Sequence, residues 1–206
     1  MWVIFLENKN AKPESVADSA LQDEKILQEL LDGVLSKKDV VRQNSFQALN
    51  FLSERHPEKL YGKWDFFANL LLKGNAFHKY IAIYIIANLT KADPENKFEK
   101  LFPIYYGLLG DKSVIPPAHV AVNSGKIALA KPALQAEITN RLLDIDNTVL
   151  RHKDLVKASA IEAFEAYFEK SSDQPKIIEF VKAQLDCESP KTREKAKRFL
   201  KKRNIE

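Results

Sequence analysis

Residues Leu30–Leu52 read LLDGVLSKKDVVRQNSFQALNFL. An apolar helix ends near Ser36, a charged turn comes next, and a second helix begins at Asp39. Within that helix Val41, Ser45, Ala48, Leu49 and Leu52 recur at spacings of three and four, one face of a 3.6-residue period. Asp39 stands where a short side-chain oxygen accepts from backbone N–H groups that have no partner inside the helix, so it is the expected N-cap. The pattern returns downstream, and the chain is therefore predicted to be a stack of two-helix units.

The first unit pairs helices at about 24–36 and 39–55, ending at His56-Pro57. The second covers about 58–73 and 76–91, closed by Asp93-Pro94. The third, at about 95–109 and 115–130, ends at Lys131-Pro132, and the fourth, at about 133–150 and 154–170, near Gln174-Pro175. A shorter fifth unit covers about 175–186 and 190–203. Pro57, Pro94, Pro132 and Pro175 lie 37, 38 and 43 residues apart. Proline suits a first helical turn, where its missing N–H had no intrahelical partner. Residues 1–22 form a lead-in to the array, which is expected to be one domain over 23–206. Trp2–Leu6 reads as a short strand or a helix start, separated from the first repeat by the break at Pro13.

Superposing the second helices gives one small or β-branched column: Ser45, Ala82, Val120, Ala160 and Ala196. The next two columns are Ala48, Ile85, Asn123, Ala163, Phe199 and Leu49, Ile86, Ser124, Phe164, Leu200. Three residues before the small column stand Arg42, Lys79, Pro117, Lys157 and Arg193, four of the five basic. One such unit is too small to bury its own apolar face, so neighbours must stack to make a continuous core. The expected fold is all-α: an α–α superhelix, a solenoid of about five two-helix repeats.

The Asp39 turn, the Val41-Arg42…Ser45…Ala48-Leu49 core and Leu101-Phe102-Pro103-Ile104 in a first helix resemble the HEAT repeat family over roughly residues 24–203. Pro103 sits where HEAT first helices often carry a kinking proline. The third unit departs from the pattern, with Pro116-Pro117 at the basic position and Gly125 inside the helix. The resemblance implies a scaffold whose second helices line a concave, partner-facing surface. It also implies an alternative, a nucleic-acid-binding protein related to the HEAT-like DNA glycosylases that act on alkylated purines.

Composition narrows the classes. The chain has 206 residues, 45% hydrophobic, with only six glycines, which disfavours a turn-rich β fold. A single cysteine, Cys187, excludes an intramolecular disulfide and suits a reducing compartment. No run reaches the ~20 apolar residues of a membrane span, and Trp2–Leu6 is too short for a secretory signal. A soluble cytoplasmic protein, away from membranes, is the expectation. Net charge is +4, but residues 191–206 hold eight Lys or Arg against two Glu, so the basicity belongs to one terminal helix.

Catalytic signatures are not found. Asn123-Ser124-Gly125-Lys126 lacks the glycine five residues upstream and the following Ser or Thr of a phosphate loop, and reads as a helix whose Gly125 permits a close contact or a bend. His56, His78, His119 and His152 show no metal-ligand spacing, and no Ser or Cys joins a His and an acid in a local signature. No enzyme, metal or cofactor is expected.

The non-core positions of the second helices carry the candidate protein-binding residues: Asn44, Gln47, Tyr80, Tyr84, Asn88, His119, Lys126 and Glu162. Tyrosine offers contact area with little rotamer entropy to lose, although Tyr80 and Tyr84 also suit packing against neighbours. Lys191, Lys195, Lys197, Arg198, Lys201 and Lys202 have two readings, the polar outer face of a capping helix or contacts to phosphates or an acidic partner. No aromatics interleave these charges, so base stacking is not indicated and the cap is favoured.

Overall fold

A computed structural model describes residues 6–7, 12–113, 115–150 and 152–205. Among them there is no strand, and the predicted all-α repeat fold is present. The chain divides into two compact units, Met1–Asn96 and Lys97–Glu206, where one domain over 23–206 was expected. The division falls just after Asp93-Pro94, one of the proline boundaries. Of the Trp2–Leu6 run, read as a short strand or a helix start, residues 2–5 lie outside the described residues.

The first unit contains α1 (Pro13–Ala20), α2 (Glu24–Gly33), α3 (Asp39–Arg55), α4 (Pro57–Leu60), α5 (Trp64–Lys73) and α6 (Ala76–Leu89). The expected lead-in is thus partly a helix of the unit itself: α1 buries Val16, Ala17 and Ala20 and packs on α3. Its neighbours start where polar caps are available. The Asp23 carboxylate accepts from Lys25 N–H at 2.8 Å, and the Asn75 side chain from His78 N–H at 3.0 Å. Asp39 does not cap. It is the first helical residue of α3, behind Lys38, and its carboxylate pairs with Arg42. Pro57 opens α4, and a 3-10 turn at Tyr61–Lys63 leads into α5. Gly33 lets α2 approach α3, since a Cβ there would lie 2.1 Å from Ser45 Oγ.

The second unit contains α7 (Lys97–Gly107), α8 (Ile115–Ala130), α9 (Gln135–Leu143), α10 (Lys153–Tyr167), α11 (Gln174–Lys182) and α12 (Pro190–Lys202). Pro103 lies inside α7. Pro116 and Pro117 occupy the first turn of α8, where proline removes no internal hydrogen bond. Ser189 caps α12, accepting from Thr192 N–H at 3.3 Å. The packing repeats from second helix to second helix, α3 on α6 in one unit and α8 on α10 on α12 in the other.

The predicted register holds in both units. Ser45, Ala82, Val120, Ala160 and Ala196 are each 0% exposed. The two neighbouring columns, from Ala48 to Phe199 and from Leu49 to Leu200, are buried throughout. The basic column has a local structural role for which the sequence pattern offers no reason. Arg42 Nη1 donates to Ser36 O at 2.9 Å, and Arg193 Nη1 to Cys187 O at 2.6 Å and Glu188 O at 2.8 Å. Lys157 Nζ meets Asp146 Oδ1 at 2.6 Å. Each cation reaches back from the start of a second helix and clamps the turn that precedes it, giving those loop carbonyls and carboxylates a partner.

Candidate functional site

Tyr80 and Tyr84, two of the candidate partner-binding residues, stand on an aromatic seam between α3 and α6. Phe46, itself buried, packs its ring on Tyr80 at a centroid distance of 5.0 Å and on Tyr84 at 5.9 Å. Tyr80 and Tyr84 lie 5.1 Å apart, and Phe77 is 5.9 Å from Tyr80. The Arg42 guanidinium covers Phe77 at 4.5 Å, a cation–π contact on the edge of the cluster. Both tyrosines are half-buried, and burial raises the Tyr80 hydroxyl above its ordinary pKa, which favours the protonated form. Gln47 is exposed one residue from Phe46. The rings are thus held by one another with part of each tyrosine open, which restricts their motion in advance of any contact.

Asn44 and Asn88 do not belong to an open surface. Asn88 is 0% exposed, and its Nδ2 donates to Asn50 Oδ1 at 3.1 Å and Ser53 Oγ at 2.9 Å, tying α6 to α3. Asn44 is buried, and its Nδ2 donates to Leu6 O at 2.8 Å. Their helical spacing resembled that of surface residues because a periodic pattern does not separate an exposed amide from one with a polar neighbour on the next helix.

In the second unit His119 and Lys126 are half-buried on α8. Burial holds the His119 imidazole below its usual pKa, which favours the neutral ring. Asn123 Nδ2 donates to His119 O at 2.9 Å. Gly125 has the role expected from the sequence: a Cβ there would meet Ala163 O at 3.0 Å, so its absence lets α8 lie close to α10. Glu162 is exposed but engaged, paired with Lys195 of α12.

That pair belongs to a ladder. Glu165 meets Arg198 at 3.3 Å, and Glu169 meets Arg203 at 3.4 Å. The Arg203 guanidinium also covers Phe199 at 3.8 Å and Phe168 at 4.5 Å. Of the six basic candidates, Lys195 and Arg198 therefore already face carboxylates, while Lys191, Lys197, Lys201 and Lys202 are exposed to solvent. Thr192, Ala196, Phe199 and Leu200 anchor the helix inward, as a cap requires.

A cleft of about 860 Å³, lined among others by Asp146, His152, Asp154, Lys157 and Cys187, opens beside the clamped turns of α10 and α12. Its polar groups largely serve one another. Besides Asp146, Lys157 reaches Asp154 Oδ1 at 3.9 Å; Asp154 Oδ2 accepts from Ser189 N–H at 3.4 Å, and Cys187 Sγ donates to Ser189 O at 3.6 Å. Among the described residues no group of His, Cys, Asp or Glu is arranged to hold a metal ion. No helix among them is long and apolar enough to cross a membrane.

No family model matches the chain, and no curated protein sequence matches it. Among solved structures, the chain is similar to the crystal structure of an engineered protein, a target of the Northeast Structural Genomics Consortium. The TM-score is 0.51 at 16% identity, covering 97% of this chain and 93% of that one. The likeness is one of fold, an all-helical array.

Proposed function

We propose that this protein is a non-catalytic, HEAT-like interaction module of the cytoplasm that presents the outer side of its second helices to a protein partner. The observation that carries this reading is the seam of Phe46, Phe77, Tyr80 and Tyr84 on α3 and α6, with half-buried tyrosines braced by packed rings. Aromatic area that is rigid before contact loses little entropy on binding, and such residues dominate interface energetics. Gln47, exposed next to Phe46 on α3, supplies a polar neighbour to that seam. The nucleic-acid reading has less support. Two of the six basic candidates already pair with Glu162 and Glu165, and Trp64 stands on α5, a first helix, away from the second-helix surface, 3% exposed and packed on Tyr61.

The test is site-directed photo-crosslinking in cells of the native organism, with the crosslinking side chain placed at Gln47 on a second helix or at exposed Asp65 on α5. One discrete adduct from Gln47 that is absent from Asp65, and lost in a Tyr84→Ala background that melts like the parent, supports the reading. Equal adducts from both positions would overturn it.

A further inference from the structure

The second helices form rows in which each packs on the next, and α1 continues the row of the first unit by packing on α3. Like α12, it has one packed side and one side turned to solvent. On α1, Val16, Ala17 and Ala20 are inward, while Glu14, Ser15 and Asp18 are exposed. On α12 the inward residues are Thr192, Ala196, Phe199 and Leu200, and the exposed side carries Lys191, Lys197, Arg198, Lys201 and Lys202 with Glu194.

The two open faces are opposite in charge. On α1 and the turn after it, residues 13–24 hold four carboxylates and no basic side chain, and Glu14, Asp18, Asp23 and Glu24 are all exposed. Residues 191–206 hold eight basic side chains against two carboxylates. The seam between α10 and α12 shows how such faces meet in this protein: a carboxylate helix against a basic one, through Glu162–Lys195, Glu165–Arg198 and Glu169–Arg203. We propose that the protein associates reversibly with copies of itself, the basic open face of α12 on one copy docking against the acidic open face of α1 on another.

The matching surface is supplied by the chain itself, and no aromatic side chains interleave the lysines to stack bases, so a second copy is a better occupant than a nucleic acid. The contact is heterologous: it uses different patches on the two copies and leaves one of each patch unused, so it sets no closed stoichiometry. It is also weak. Solvent-exposed ion pairs contribute little each, and the net charge of +4 repels copies at long range. The association therefore depends on ionic strength. It is favoured at about 10 mM salt and largely screened at about 0.15 M, where the Debye length falls to roughly 8 Å.

The experiment is sedimentation velocity and light scattering over a concentration series at about 10 mM and about 0.15 M salt. The expected result is a weight-average mass that rises above the monomer with concentration at low salt and returns to the monomer at the higher salt. Lys197→Glu/Lys201→Glu and Glu14→Lys/Asp18→Lys alter only exposed side chains, and unchanged melting checks their fold. Each double variant alone should lose the concentration dependence, and mixing the two should restore it, because reversed faces then complement one another. A parent that stays monomeric at low salt overturns the proposal, as does self-association that survives both reversals or fails to return on mixing. A monomeric parent that binds a duplex oligonucleotide through the same lysines overturns it in favour of phosphate recognition. The partner-binding seam on α3 and α6 takes no part in these variants, so the two readings fail separately.

Discussion

The seam between α3 and α6 and the seam between α8 and α10 share one register and are filled by opposite means. In the first, Phe46 stands between the helices against Tyr80 and Tyr84, and Asn88 crosses from α6 to Asn50 and Ser53. In the second, Gly125 removes the side chain altogether, and its backbone lies against Ala163 and Ala166. Polar groups there turn back on their own helix, as when Ser124 Oγ donates to Val120 O at 2.8 Å. The position aligned with Gly125 is Ala87 in α6 and Asn50 in α3. A helix pair that meets backbone to backbone leaves little ring surface at its rim, whereas one wedged by aromatics carries part of those rings outward. How a seam is filled thus decides how much ring surface it carries outward, and of these two seams the first carries the half-buried tyrosines.

The shared register is the part whose disruption costs most. Ala82→Glu and Ala160→Glu each place a carboxylate at a fully buried column position, one per unit, without a partner. Each should lower unfolding free energy by about 3–5 kcal/mol, read from denaturant midpoints. Parent-like unfolding of either would mean the two seams do not share a register. The polar contents of the seams separate next. Asn88→Ala strands the groups it bridged and should cost about 1–3 kcal/mol, while Ser124→Ala removes a bond within one helix and should cost less than about 1 kcal/mol. Equal losses would erase the distinction between a bridge across the seam and a bond within a helix.

The glycine comparison is finer because two effects oppose. Gly125→Ala gains about 1 kcal/mol of helix propensity but forces a Cβ to 3.0 Å from Ala163 O, an overpacking cost of about 1–3 kcal/mol. A net loss of about 1 kcal/mol is expected. At the aligned Ala87, which is fully buried, Ala→Gly loses both propensity and a packed methyl, about 2 kcal/mol together. A stabilised Gly125→Ala variant would show that α8 and α10 have room to separate.

The repeat boundaries and the buried columns were legible because helical periodicity and proline punctuation are local properties that survive without knowledge of neighbours. Partnership across helices was not. Asn44 and Asn88 fall on surface-type spacing, yet the first meets the Leu6 carbonyl and the second the amide and hydroxyl of α3. Asp39 has the chemistry of a cap, but Arg42 one turn later draws its carboxylate aside. Pro13 has the look of a break before the array, whereas it opens α1, a proline at the start of a helix being as ordinary as one after its end. The basic column, visible as a pattern, held an unread structural message: Arg42, Lys157 and Arg193 each clamp the turn behind them.

The smallest expected effect concerns His119, on the α8 side of the comparison, where no aromatic wedge holds the candidate surface. Burial depresses its pKa in the folded chain below the usual value of about 6.5. As pH falls through that value, the unfolded chain takes up a proton that the folded chain resists. The unfolded state then binds more protons, so this residue's contribution to stability falls as pH falls and is complete above the unfolded pKa. Comparing slopes of the parent and His119→Gln between about pH 7 and pH 5.5 isolates this imidazole, because every other titrating group is common to both chains. Unfolding curves of the parent and of His119→Gln across that window should differ in slope, with the parent losing stability faster toward acid. The comparison uses slopes rather than absolute values, so any constant cost of the substitution cancels. Parallel slopes would show that the ring takes up its proton equally well in both states, as a solvated histidine would, and His119 would then stand at a wet surface like that of Gln47.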